Sequence, residues 1–235
     1  MKLLVMAEMS VREMSRRRGV LALMISLPLW FYLARSDQTG QSIRMLTLGI
    51  GWAVSTVTLF SVTGARTVDQ RLRLSGYPVG ALIGGRLLAA SGVGIVLALL
   101  YWGLVATQQD VHRLWAIGPM MLVTALTAAP LGGLLAVLVP RELEGALALL
   151  TVVALQMLTD PEGLAAKLMP FWAARELGTY AVDRAGPSYL TAGLLHFGLT
   201  WSLCTAATLA ICAHRLRLAR YPAPPEDLAA RSSIF

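Results

Sequence analysis

Lysine is nearly absent from this chain: Lys2 and Lys167 are the only two among 235 residues. A phosphate-cradling P-loop needs Gly-Lys-[Ser/Thr] after a glycine-rich turn. Neither lysine follows a glycine, so no Walker A site is present. Charge of either sign is also scarce. Asp, Glu, Lys and Arg make up 14% of the chain, where a soluble domain averages about 25%. The two cysteines, Cys204 and Cys212, lie in one late apolar run. Eight residues of helix separate two Cα atoms by about 12 Å, too far for a disulfide, and both read as small apolar fillers. No His-Glu-x-x-His occurs, which excludes the helix-borne zinc site of a metalloprotease. No Gly-x-Ser-x-Gly occurs either, which excludes a nucleophile elbow.

What the chain has in abundance is apolar surface: 56% of residues are hydrophobic and the mean hydropathy is +0.64. A disordered chain needs the opposite balance. A water-soluble domain of this size could not cover so much apolar area. Lipid as the solvent resolves the problem. At about 20 residues per span plus connections, the chain has room for roughly six crossings. The expected fold is an all-α polytopic membrane protein of one transmembrane domain, residues 1–220. Its apolar runs lie at about 19–34, 45–65, 87–106, 115–139, 145–158 and 191–213. Residues 221–235, with Pro222, Pro224 and Pro225, read as a flexible cytoplasmic tail.

Between the runs the polar segments have distinct characters. Residues 1–18 interleave Met1, Leu3, Leu4, Met6, Val11 and Met14 with Lys2, Glu8, Arg12, Glu13 and Arg16. This pattern predicts an interfacial amphipathic helix. The basic flank Arg16-Arg17-Arg18 and the run after it resemble a signal peptide, but Tyr32-Leu33-Ala34 is not a small-x-small cleavage site. An uncleaved signal anchor is expected. Residues 159–190 are rich in breakers and aromatics, among them Pro161, Gly163, Pro170, Phe171, Trp172, Gly178, Tyr180 and Pro187. One or two short amphipathic exterior helices, or a partly re-entrant hairpin, fit this composition.

Orientation follows from the basic residues. With six spans, the segments 1–18, 66–86, Arg141 and the tail share one side and hold 14 of the 20 Lys and Arg; the other side holds six. The excess predicts that both termini are cytoplasmic. Scarce lysine beside abundant Ala, Leu and Arg suggests a GC-rich bacterial genome, and the expected location is the bacterial inner membrane.

The expected spans hold no Asp, Glu, Lys or Arg. An ion-coupled transporter needs an acidic relay or ion site near the midplane, so that class is disfavoured. Four polar residues are candidates for a translocation path: Thr56, Ser61, Gln156 and His196. Each has a plainer reading, as i−4 back-bonding for the hydroxyls and interhelical hydrogen bonding for Gln156 and His196.

The segment 66–86 is the most informative. The charged residues Arg66, Asp69, Arg71 and Arg73 and the polar Gln70 alternate with Val68, Leu72 and Leu74. A Ser75-Gly76-Tyr77-Pro78 turn follows, and then an apolar run that begins at Val79 and passes Gly85-Arg86 into the third span. This arrangement resembles the ABC-2 type permease family, the membrane subunits of one branch of ABC exporters. There, charges precede a Leu-Leu-x-x-Pro-like element and an apolar run ending Gly-Lys. Here Leu72 to Pro78 and Gly85-Arg86 take those places. The family's Glu-Arg-Glu and Gly-Thr elements are replaced by Val68-Asp69-Gln70 and Leu72-Arg73. The surface helix, the six spans and the amphipathic segment before the last span extend the resemblance over most of the chain.

The resemblance implies a non-catalytic permease subunit. It implies a cytoplasmic coupling helix between spans two and three, with Asp69, Gln70, Arg71, Leu72, Arg73, Leu74, Ser75, Gly76, Tyr77 and Pro78 gripped by a separate ABC ATPase subunit. ATP and Mg would reside in that partner dimer, and no cofactor in this chain. A second permease, identical or homologous, would complete the path for an amphipathic drug, antibiotic, peptide or lipid-like compound. Two other classes stay open: a membrane scaffold or assembly protein without transport, and an integral membrane lipid-modifying enzyme drawing on Asp160, Glu162 and Glu176.

Overall fold

The computed structural model describes residues 2–160 and 163–216. Among them are ten helices and no strand. In chain order these are α1 (Lys2–Arg16), α2 (Arg18–Leu33), α3 (Thr39–Gly64), α4 (Arg66–Leu74), α5 (Val79–Gln108), α6 (Leu114–Leu138), α7 (Glu142–Leu158), α8 (Leu164–Leu168), α9 (Trp172–Val182) and α10 (Pro187–Arg215). Glu162 and the expected tail at 221–235 lie outside the described residues.

All six apolar runs fall on helices. Four of those helices, α3, α5, α6 and α10, are long and apolar enough to cross a membrane. The other two are shorter: α2 has 16 residues and α7 has 17. At 1.5 Å per residue these reach about 24–26 Å, less than the roughly 30 Å hydrocarbon layer.

The helices begin earlier than the apolar runs. α5 starts at Val79, so Arg86 stands inside it, and α3 starts at Thr39, so Arg44 stands inside it. Thirty residues of α5 extend about 45 Å, more than the roughly 30 Å of a hydrocarbon layer. Both arginines lie before the expected apolar runs, at 45–65 and 87–106, on the helical extensions that precede them. Backbone hydrogen bonding continues the helix past the apolar stretch, back to the extended Pro78 (φ −70°, ψ 142°).

At the centre, α3 and α6 cross almost backbone to backbone. The Ser55 hydroxyl donates to the Ala128 carbonyl at 2.9 Å. A Cβ placed on Gly132 would stand 2.1 Å from the Ser55 carbonyl oxygen. Small residues at such crossings let polar backbones approach and pack without a hydrophobic driving force between helices. Ile43, Leu46, Ile50, Ile117, Met120 and Met121 of the same two helices are fully buried in the main apolar core. By contrast, most of α10 faces outward, with Leu195, Leu199 and Leu203 exposed.

α1 is a helix, as expected, but its apolar side is divided. Met6, Ala7, Ser10 and Met14, at helical three-four spacing, are buried. Gly85 of α5 admits them: a Cβ there would meet the Met6 Cβ at 2.6 Å and the Leu3 carbonyl at 3.0 Å. Leu4, Val5, Met9 and Val11 remain exposed. Among the described residues of segment 159–190 are two short helices, α8 and α9, and the start of α10. α9 buries Ala173, Leu177 and Ala181, spaced by four, and Phe171 just before it is buried as well.

Candidate functional site

One end of the bundle gathers α1, the α3–α4 corner, the start of α5, the α6–α7 turn and the last turns of α10. α4 is its projecting element. The helix opens with Asp69 in its first turn and closes with Arg71 and Arg73 in its last, a charge order that complements the helix dipole. Its stop is encoded by Ser75-Gly76-Tyr77-Pro78. The Tyr77 N–H donates to the Leu72 carbonyl and the Gly76 N–H to the Arg73 carbonyl, both at 3.1 Å. Gly76 holds φ +82°. This pairing is the Schellman stop, whose left-handed position favours glycine, and the following proline cannot extend the helix.

Three polar fixings tie α4 to its neighbours. Asp69 Oδ2 accepts from Arg86 Nη1 at 2.6 Å, with both side chains 5% exposed. Burial raises the Asp69 pKa above the ordinary carboxylate value, while the Arg86 charge and hydrogen bond pull it back down. Arg66 donates to the carbonyls of Ala136, Val139 and Pro140. It thereby caps the end of α6, where helix carbonyls lack internal partners. The third fixing comes from α1: Lys2 donates to the Gly76 carbonyl at 3.1 Å and lies 5.2 Å from the Tyr77 ring centroid. Beside them, the Thr63 hydroxyl contacts Glu142 Oε1 at 3.2 Å and joins the end of α3 to α7.

Among the expected coupling residues, Gln70, Arg71, Leu74, Ser75, Gly76 and Pro78 are exposed; Leu72, Arg73 and Tyr77 are half-buried. Leu74 is 75% exposed, an apolar knob at the tip. Asp69 differs. The sequence reading leaves its side chain in the cytoplasm, but its carboxylate is turned inward, because Arg86 stands two turns inside α5 with no other carboxylate paired to it among the described residues.

The opposite end of the bundle holds a cavity of about 520 Å³ between α3, α6, α7 and α9. Arg44 and Asp183 form an ion pair at its rim. Gln156, Phe171, Glu176 and Tyr189 also line it. Gln156 Oε1 accepts the Phe171 N–H at 3.3 Å. Glu176 is half-buried, and burial raises its pKa above 4.5, against the opposing charges of Arg175 and Lys167. Nearby, Arg113 donates to the Tyr180 and Ala185 carbonyls at 2.8 Å each and stacks on the Tyr180 ring.

The four candidate path residues do not converge. Gln156 lines this cavity. His196 instead bonds through Nε2 to the Lys167 carbonyl at 3.0 Å and through Nδ1 to the Thr200 hydroxyl at 3.3 Å. A carbonyl only accepts, so Nε2 carries the hydrogen and Nδ1 accepts from Thr200. Thr56 and Ser61 are half-buried and line neither this cavity nor the cleft described below. Thr58 and Thr63 donate to carbonyls four residues back. Among the described residues, no three His, Cys, Asp or Glu side chains come together as a metal site.

Sequence reasoning missed Arg86 as the partner of Asp69 and Arg66 as the cap of α6. Arg86 carried a signal: a charge eight residues after the proline that starts an apolar helix must find a partner. No known protein family's sequence profile matches the chain, and it matches none of the curated proteins.

Proposed function

We propose that the chain is a transmembrane permease subunit of an ATP-driven exporter of the ABC-2 type. It spans the membrane six times with both termini in the cytoplasm, and it moves an amphipathic compound with energy supplied by a separate ATPase subunit. The observation that carries this reading is the construction of α4. A short helix projects from one end of the bundle, ends at a glycine-proline stop, and is fixed to α5 through Arg86 and to α6 through Arg66. A load applied to α4 would therefore reach two of the long helices as a rigid-body displacement. Its exposed face, Gln70, Arg71 and Leu74, has the mixed apolar and charged character that a groove on a soluble partner recognises. The position of α4 between the second and third apolar helices also supports the reading, as does α1 docked at the same end.

Co-expression with a P-loop ATPase encoded beside this chain tests the proposal. The expected result is a membrane complex that co-purifies, and that Arg71→Glu weakens without loss of membrane insertion. An ATPase that never associates, with Arg71→Glu and Pro78→Ala both silent, would reduce α4 to a surface loop.

A further inference from the structure

A cleft of about 600 Å³ separates α1 from the α3–α4 corner. Its walls are apolar. Met6 and Met9 stand on one side, and Val68 and Leu72, one helical turn apart, stand on the other. Met9 is 55% exposed and Val68 49% exposed, although both face a concave space. Methionine and branched side chains left open in this way form a seat for a flexible apolar group.

The mouth of the cleft is basic. Exposed Arg12, Arg16 and Arg17 line it beside Glu13, while Arg86 is buried deeper in the cleft. Arg12 and Arg17 form ion pairs with Glu8 and Glu13, at 2.6 and 2.8 Å, along α1 itself. Arg86 is committed to Asp69. Arg16 has no ion pair among the described residues and is exposed at the rim. An apolar slot opening on an unpaired guanidinium complements a molecule with a hydrocarbon body and an anionic head. The slot also sits where such molecules are concentrated, between a surface helix with Leu4, Val5 and Val11 exposed and the end of a long apolar helix.

We infer that this cleft binds an anionic phospholipid of the cytoplasmic leaflet, with the headgroup phosphate on Arg16 and Arg12 and the upper acyl segment between Met9, Val68 and Leu72. The inference rests on the membrane orientation proposed above. It adds a consequence, because one wall of the cleft is α4 itself: the lipid would brace the helix that carries the load.

Native mass spectrometry of the purified chain, titrated with phosphatidylglycerol and phosphatidylcholine, tests it. The intact protein should retain phosphatidylglycerol in preference. Arg12→Gln with Arg16→Gln should weaken that preference about tenfold, since each basic residue near an anionic headgroup is worth about a factor of five and the paired Arg12 less. Met9→Trp, at an exposed position that folding tolerates, should fill the slot and weaken both lipids. Arg215→Gln, outside the cleft, should change nothing. Equal retention of both lipids, or insensitivity to the arginine pair and to Met9→Trp, overturns the inference. Competition by inorganic phosphate as effective as the lipid would assign the rim to a soluble anion. Loss of ATPase association in Met9→Trp with lipid preference intact would assign the slot to a protein. The titration needs no ATPase, so a failed exporter reading leaves it standing. A chain that couples to an ATPase but shows no lipid preference removes this inference alone.

Discussion

Asp69 and Arg86 meet at 2.6 Å across the Pro78 turn, both almost wholly buried, and so lock α4 against α5. Removing one member strands a buried charge, which costs about 3–5 kcal/mol, whereas replacing both by apolar residues of similar size is often nearly neutral. Asp69→Ala should therefore lower the thermal unfolding temperature in detergent sharply. Asp69→Leu with Arg86→Met should recover most of the loss. A double variant as unstable as the sum of the two singles would mean that the pair is not coupled.

The α3–α6 crossing sets a second expectation. A side chain at Gly132 meets the Ser55 backbone rather than a flexible tip. Overpacking of this kind costs about 1–3 kcal/mol, and more where backbone must move. Gly132→Ala should reduce the yield of folded protein and its unfolding temperature. Gly92, with nothing within 4 Å of an added Cβ, is the control, and Gly92→Ala should be silent.

Glu176 contributes a pH dependence that one substitution isolates. Burial raises its pKa above 4.5 in the folded chain. A carboxyl with a raised folded pKa favours the folded state most when protonated. Its contribution is complete below the unfolded value and is lost as pH rises through the folded one. Relative to Glu176→Gln, the wild type should gain stability as pH falls from neutrality toward 4.5. Unfolding temperatures of both proteins across that range check this. A wild type that loses ground to the glutamine variant on acidification would give the opposite sign.

The all-helical architecture was legible because helix formation in this chain follows long apolar runs, and all six runs fall on helices. Helix ends were less so. The Pro78 turn marked the start of α5 at Val79, but the apolar pattern did not mark that of α3, which hydrogen bonding carries back to Thr39, so that Arg44 stands within a helix. The stop at Gly76-Pro78 was readable because both residues act through local backbone geometry. The partners of Asp69, Arg66 and His196 were not, since 17, 70 to 74 and 29 residues separate them from the groups they bind. Such pairings depend on how helices stack, and a single sequence carries no record of that. The same limit applies to α1, whose amphipathic pattern does not distinguish a lipid surface from the groove beside Gly85.

Transport-coupled ATP hydrolysis tests the proposed role of α4 most directly. The chain would be reconstituted in vesicles with its candidate ATPase and compared with Arg71→Glu, across a panel of amphipathic compounds. The account predicts hydrolysis that rises with a transported compound, and a variant that inserts and folds normally but loses most of that rise. Equal stimulation of wild type and variant, or an ATPase indifferent to this chain, would contradict it.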